Sequence, residues 1–367
     1  MCCKLQLYET INKIGGQFRL PGKLYSYDVI TNGNINSTYK ATYRDAVGQL
    51  VSYIFQRVNT NVFSHPVEIM RNIENVTSYI NEKFPDEVTL RYYHTEDGLN
   101  YCVDGDCFWR VSNYFDSVAY NTTDDPTVIA GVGEAFGKFQ TQLSGFDGGK
   151  LYETIPEFHN TAKRMQTFLR AVEEDTAGRV KEVPEEIAYL RSVADEASEL
   201  SIRYAAGEIP CRVTHNDTKA NNVLFDRVTK RPLVVIDLDT VMPGMAGYDF
   251  GDAVRFIAST AEEDEPDTTR IYFDTGKFRA FCKGYLRQVK RGLTQLELDT
   301  LVQAAFSVTV EMAARFLTDY LQGDTYFKIN YPEHNLVRTR SQIRLAQDIT
   351  KKRDELEWIV RETLKNV

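Results

Sequence analysis

The sequence predicts an α+β chain in two lobes: an N-terminal antiparallel β-sheet lobe with one main helix, residues 1–112, and a larger, mostly α-helical C-terminal lobe, residues 113–367. Three observations predict it. The first lobe is rich in short β-type runs punctuated by Gly, Asn and Asp, helical periodicity takes over from Pro126, and one compact β-rich insert, Arg212 to Asp239, interrupts the helices.

In the first lobe, Leu24 to Ile30 and Thr38 to Tyr43 flank the turn-rich TNGNINS segment, and Leu50 to Val58 reads as a third strand of an antiparallel meander. Val67 to Phe84 is an amphipathic helix, with Val67, Met70, Ile73, Val76, Thr77 and Ile80 near helical spacing. Val88 to His94, Leu99 to Val103 and Cys107 to Tyr114 read as further strands. The second lobe predicts helices over Thr127 to Leu143, Thr161 to Ala171, Pro184 to Ala205, Thr275 to Val289, Gln295 to Leu321 and Leu336 to Thr363. Within the insert, Val223-Leu224-Phe225 and Val234-Val235-Ile236, joined by a DRVTKRP turn, form a hairpin beneath a polar loop.

Composition narrows the partners. With 367 residues, 43% of them hydrophobic, a sizeable core is available. A net charge of -9 and no basic block argue against nucleic acid as a partner. The six cysteines are too sparse for a disulfide scaffold and read as thiols, although Cys102, Cys107, Asp104 and His94 form a conceivable zinc set. No apolar run has the ~20 residues that a membrane span requires, and the start lacks an apolar signal segment, so no membrane and a cytoplasmic location are expected. The expected state is a monomer or weak homodimer.

The chemistry lies in Val213 to Phe225, with HNDTKANN at its centre, followed by Val235-Ile236-Asp237-Leu238-Asp239. An Asp in a polar loop, an Asn five residues later at the mouth of a strand and an Asp at the end of the paired strand gather three oxygen ligands in a small volume. That set suits phosphoryl transfer, in which one carboxylate takes a hydroxyl proton while a carboxamide and a carboxylate hold Mg²⁺ on the phosphates. Downstream, Tyr248-Asp249-Phe250-Gly251-Asp252 spells DFG, but Asp249 lies too far past the hairpin for a metal ligand. It is expected to open a helix, Ala253 to Ser259, as an N-cap or loop brace.

HNDTKANN resembles the HxDxxxxN catalytic loop of the aminoglycoside phosphotransferase and choline kinase-like families, relatives of the protein kinases, and IDLD resembles their metal-binding strand end. The resemblance implies a bilobal protein-kinase-like fold and ATP and Mg²⁺ as cofactors. It makes Asp217 the catalytic base, His215 a loop organiser, and Asn222 and Asp237 the magnesium ligands, with Asp239 undecided. On the nucleotide side, Gly33 lies in the phosphate-covering turn, and Gln56 stands where the family often has a phosphate-anchoring lysine. Arg57 is the alternative charge, on the opposite face of the strand. Glu68 and Glu74 are candidate partners for the anchor, and the strand through Val111 is the expected adenine hinge.

Within the superfamily the chain is most similar to N-acetylhexosamine 1-kinases, through the tract Asn61 to Ser78, RVTHNDTKANNVLFD, VIDLDTVMPGMAGYDFGDAVRF, MAARFLTDYLQGDTYF and YPEHNLVRTRSQIRLAQ. That implies a sugar substrate phosphorylated on its anomeric hydroxyl. Arg315, which the resemblance places at the sugar, shares a helix face with Glu311 and Asp319, and Tyr326 or Phe327 would offer apolar surface to a ring. The same spacing also describes a solvent-exposed salt-bridge ladder. Two departures fall near the expected acceptor, Asn34 in the phosphate-loop turn and Asp116 or Ser117 past the hinge, where these kinases carry histidines. His159, His334 and His65 read as structural, and Glu262-Glu263-Asp264-Glu265 as a solvated loop. The alternatives are a kinase of the same fold acting on another hexose, an amino alcohol, homoserine or an aminoglycoside, and a catalytically inactive ligand-binding relative.

Overall fold

Strand alternation builds the first sheet. After an opening helix α1 (Cys2–Gly15), strands β1 (Lys23–Ile30), β2 (Ser37–Arg44) and β3 (Leu50–Val58) run antiparallel; helix α2 (Pro66–Lys83) follows, and β4 (Cys102–Asp104) and β5 (Cys107–Asn113) complete the order β1-β2-β3-β5-β4. The computed structural model describes residues 2–31 and 35–367. Tyr39, Ala41 and Tyr43 of β2, Tyr53 and Phe55 of β3, and Trp109 and Val111 of β5 pack in one buried cluster with Ile11 and Ile14 of α1. The next residues along β3 and β5, Gln56 and Arg110, point to the other face by the two-residue period, and there Arg110 meets Met70 of α2.

The chain divides into two units, Met1–Ser117 with Gly149–Thr154, and Val118–Gly148 with Ile155–Val367. The short return to the first unit is held by Asn72, whose amide donates to Tyr152 O and accepts from Tyr152 N, each at 2.8 Å. A two-residue strand, β6 (Ser117–Val118), stands at the boundary.

The second unit is mostly helical. It runs through α3 (Pro126–Gln142), α4 (Thr161–Glu174), α5 (Pro184–Ala205), the strands β7 (Arg212–Thr214), β8 (Val223–Asp226), β9 (Pro232–Val235) and β10 (Met242–Gly244), then α6 (Ala246–Ile257), α7 (Thr275–Val289), α8 (Gln295–Asp299), α9 (Leu301–Leu321), α10 (His334–Lys351) and α11 (Arg353–Asn366). Helix α9 is buried almost all round, as expected of a helix at the centre of a helical layer, and packs against α4, α5, α6 and α10. Gly251 allows α6 to approach it closely: a Cβ there would stand 2.7 Å from Ala304 O. No helix among the described residues is long and apolar enough to cross a membrane.

Most predicted elements form within a residue or two of their expected ends, and the exceptions have local causes. Helix α1 was not anticipated. Val88 to His94 is not a strand: β4 already pairs with Trp109 of β5, and near the far end Asn113 takes Arg91 N and Thr89 O with its side chain, leaving only isolated bridging. The predicted Gln295 to Leu321 helix breaks at Thr300, whose hydroxyl bonds back to Leu296 O at 2.7 Å, and the predicted last helix breaks at Lys352. Helix α6 begins at Ala246, well before Ala253, so Asp249 lies in its first turn and is not the N-cap.

Candidate active site

The polar loop after β7 is held from below by two carboxylates of α6. Asp249 accepts the backbone N–H of His215 on Oδ2 and of Asn216 on Oδ1, both at 2.8 Å. Asp252 accepts from Thr218 N at 2.9 Å, and the Thr218 hydroxyl donates to Asp249 O at 2.7 Å. Asn216 takes the left-handed conformation, φ 65°, which Asn tolerates better than most residues, and donates its side-chain amide to Thr240 O at 2.9 Å. Burial pushes the Asp249 carboxyl up, opposed by His215 and the two amides. Burial also acts against the Asp252 charge, but the Arg255 guanidinium at 3.0 Å holds that carboxyl below its ordinary range. Arg255 in turn reaches Glu263 at 2.6 Å, while Asp264 pairs with His334 and Glu265 with Arg270. The acidic run is a loop, as expected, with Glu262 and Asp264 exposed, and two of its four carboxylates, Glu263 and Glu265, are in ion pairs with arginines.

His215 organises the same loop. Its ring is buried edge-on against Phe136 and Phe139, Nε2 lies 2.9 Å from Ile236 O, and Asp217 N donates to Nδ1 at 3.3 Å. A carbonyl can only accept and an N–H can only donate, so the ring is neutral and carries its proton on Nε2.

Asp217 projects from this brace at the mouth of the β8–β9 hairpin. Asn222 donates its side-chain amide to Asp217 O at 2.8 Å and to Asp217 Oδ2 at 3.1 Å, and Lys219 Nζ stands 2.9 Å from Oδ1. Burial opposes the charge on Lys219, yet Asp217 outweighs it and holds the ammonium above its ordinary range. The Val223–Val235 register sets Asn222 beside Ile236, whose N–H donates to Asn222 O at 2.9 Å, so Asp237 follows at the hairpin end, with φ 61°. Asp237 is exposed and Asp239 buried. The Asn222 amide nitrogen is spent on Asp217, which turns its oxygen the other way. A carboxamide and a carboxylate oxygen form a hard donor pair of the kind that suits Mg²⁺, with phosphate and water completing the shell. Among the described residues no group of three or more His, Cys, Asp or Glu side chains could hold a metal, and Cys102 and Cys107 are free thiols, so the zinc set does not form.

A second cluster lies behind the loop. Glu311 of α9 is fully buried; its Oε1 is 3.0 Å from His159 Nδ1 and its Oε2 accepts from the Thr161 hydroxyl at 2.8 Å. His159 Nε2 lies 3.3 Å from Asn216 O. Arg315 Nη1 is 3.8 Å from the same Glu311 Oε1, and its guanidinium lies against the rings of Phe158, at 5.2 Å, and Phe327, at 5.7 Å. Burial and the neighbouring Arg315 charge hold Arg164 below the ordinary guanidinium range. Asp319 does not continue a ladder with Arg315: it accepts the N–H groups of Thr325, Tyr326 and Phe327 and so folds the loop that brings Phe327 over the arginine. Tyr326 points outward, 68% exposed. His159 and His334 both have acidic partners, Glu311 and Asp264.

In the first unit, Gln56 Oε1 accepts from the buried Arg110 Nε at 2.9 Å and its Nε2 donates to Thr38 at 3.2 Å. Arg110 is a cation the sequence reading missed; cross-strand pairing of β3 with β5 would have found it. Arg57 is exposed on the opposite face, where it donates to Ser37 at 3.4 Å. Glu74 pairs with His94 and accepts from Asn100, so it does not serve Gln56. Val111 is a core residue whose carbonyl accepts from Tyr93 N at 2.8 Å. Asp116 is exposed beyond β5, and Ser117 donates to Phe115 O. Gly33 and Asn34 lie outside the described residues.

A family model described as "Phosphotransferase enzyme family" (APH) matches residues 26–287. Among solved structures, a microcompartment-associated aminopropanol kinase is 16% identical with TM-score 0.62, covering 95% of this chain and 98% of its own. An amicoumacin kinase, hAmiN, in complex with AMP-PNP and Ca²⁺ is 14% identical with TM-score 0.59, over 94% of this chain and 96% of its own. A choline kinase from Cryptosporidium parvum Iowa II is 14% identical with TM-score 0.53, over 92% and 93%. These likenesses carry the bilobal protein-kinase-like fold, and the family model covers well over half the chain. The chain belongs to the APH family of phosphotransferase enzymes, the aminoglycoside phosphotransferase and choline kinase-like group.

Proposed function

We propose that the protein transfers the γ-phosphoryl group of ATP to the anomeric hydroxyl of an N-acetylhexosamine, N-acetylglucosamine or its galacto epimer, giving the sugar 1-phosphate and ADP. The observation that carries the chemistry is the setting of Asp217, its two carboxylate oxygens oriented separately by Asn222 and Lys219, with Asp237 following Ile236 opposite Asn222 in the hairpin register. Asp217 takes the proton as the sugar oxygen bonds to phosphorus, and the electron pair of the broken bridging P–O bond leaves on ADP. Lys219, missed in the sequence although it lies two residues past the base, is a cation beside the transferring group. Asn222 and Asp237 would hold Mg²⁺, which supplies charge neutralisation on the phosphates when bound.

The acceptor assignment rests on the long tracts shared with N-acetylhexosamine 1-kinases and on charge. Arg315 and Arg164 stand together, and the nearby acids, Glu311 and Glu157, are already engaged, the first by His159 and Thr161 and the second by Lys163. An amine-bearing acceptor would meet two guanidiniums; a neutral sugar with an N-acyl carbonyl would meet hydrogen-bond donors and the Phe158 and Phe327 rings. The test is ADP release with ATP and Mg²⁺ across N-acetylglucosamine, N-acetylgalactosamine, glucose, galactose, choline, homoserine and kanamycin. Turnover confined to the N-acetylhexosamines supports the reading, and turnover only with an amine overturns the acceptor while keeping the kinase.

A further inference from the structure

His159 is buried, and both of its ring nitrogens face groups that only accept: the Glu311 carboxylate at 3.0 Å and the Asn216 carbonyl at 3.3 Å. Both nitrogens must therefore carry protons, which makes the ring an imidazolium. It sits between α9 and the loop, and its contact is with the residue directly before Asp217. The charged and titratable groups around it are Glu311 and Arg315 of α9, Asp252 and Asp249 of α6, and the Tyr248 ring at 5.6 Å. Tyr248 is itself fixed by Thr161 and Ser201 hydroxyls at 3.1 and 2.6 Å, so the ring has little room to turn.

From this geometry we infer that His159 is a positioning residue, a buried imidazolium that holds the Asn216 carbonyl and thereby sets the direction of Asp217. Glu311 keeps it charged and, through the same Oε1 atom, joins it to Arg315. Occupation of Arg315 by an acceptor is thus transmitted to the catalytic loop through one carboxylate and one ring. The inference rests on the reading of Asp217 as base and Arg315 as acceptor contact. Burial alone would discharge this histidine; the Glu311 carboxylate outweighs it and raises the ring above the ordinary value of 6.5.

The experiment uses the full-length protein labelled with ¹⁵N. The chain has five histidines, so the ring signals lost in His159→Gln assign this one. At about pH 8, where an ordinary histidine is neutral, both His159 nitrogens should still be protonated, and in Glu311→Gln the ring should become neutral and the Asn216 and Asp217 amide signals should move. With ATP, Mg²⁺ and N-acetylglucosamine, kcat of both variants should fall about tenfold or more while the KM for ATP stays within about twofold. A neutral wild-type ring, unmoved loop amides, or an unchanged kcat overturns the inference. An Asp217→Asn protein that still turns over would instead remove the base assignment; the ring and amide signals need no acceptor and decide the His159 claim separately.

Discussion

Asn222 donates one side-chain amide to both the backbone carbonyl and the carboxylate of Asp217, at 2.8 and 3.1 Å, so a single carboxamide locks the loop and aims the proposed base. Replacing it with alanine removes that orientation together with a proposed metal oxygen. Asn222→Ala is expected to lower turnover by about 10²–10³ and to raise the Mg²⁺ concentration for half-activation by about tenfold or more. A Mg²⁺ titration of ADP release measures both; an unchanged midpoint would remove Asn222 from the metal.

Arg315 touches the Phe158 and Phe327 rings and a carboxylate shared with His159. Arg315→Ala should raise the KM for N-acetylglucosamine about tenfold or more and leave that for ATP nearly unchanged. Equal rises in both would assign Arg315 to structure alone.

Gln56, at the position where the resemblance implies a lysine, accepts from Arg110, a buried cation on that face. Gln56→Lys sets a second cation beside it and should destabilise the protein by about 3 kcal/mol or more, whereas Gln56→Glu gives Arg110 a carboxylate and should be far milder. Thermal unfolding of the two variants, read side by side, decides the matter; equal stability would contradict the charge account.

Stability should also respond to His159 through pH. A ring whose folded pKa is raised above the unfolded 6.5 contributes stability that is fully present below that value and is lost as pH climbs through the folded pKa. The wild-type Tm should therefore fall more steeply than that of His159→Gln as pH rises above the unfolded value of 6.5. Parallel profiles would show that the folded ring's pKa is not raised.

How much of this was legible in the sequence depended on range along the chain. The Asp217 to Asn222 spacing and the hairpin that brings Asp237 alongside are local, so pattern alone carried them. The His159–Glu311 contact joins residues 152 apart, and the Gln56–Arg110 contact joins residues 54 apart, so only packing reveals them. Val88 to His94 has strand composition, but the edge it needed was largely taken by β4 and by the Asn113 side chain. Asp249 braces the loop, as one of the two expected roles had it, while its helix was placed too late because nothing at Met245 or Ala246 signals a cap.

The most direct measurement is phosphorus and proton NMR of the product formed from ATP, Mg²⁺ and N-acetylglucosamine by the wild-type protein, run beside Asp217→Asn. The account predicts a sugar phosphate whose phosphorus couples to the anomeric proton, and no such product from the variant while it still binds ATP. Phosphate on any other oxygen, or the same product from Asp217→Asn, would contradict it.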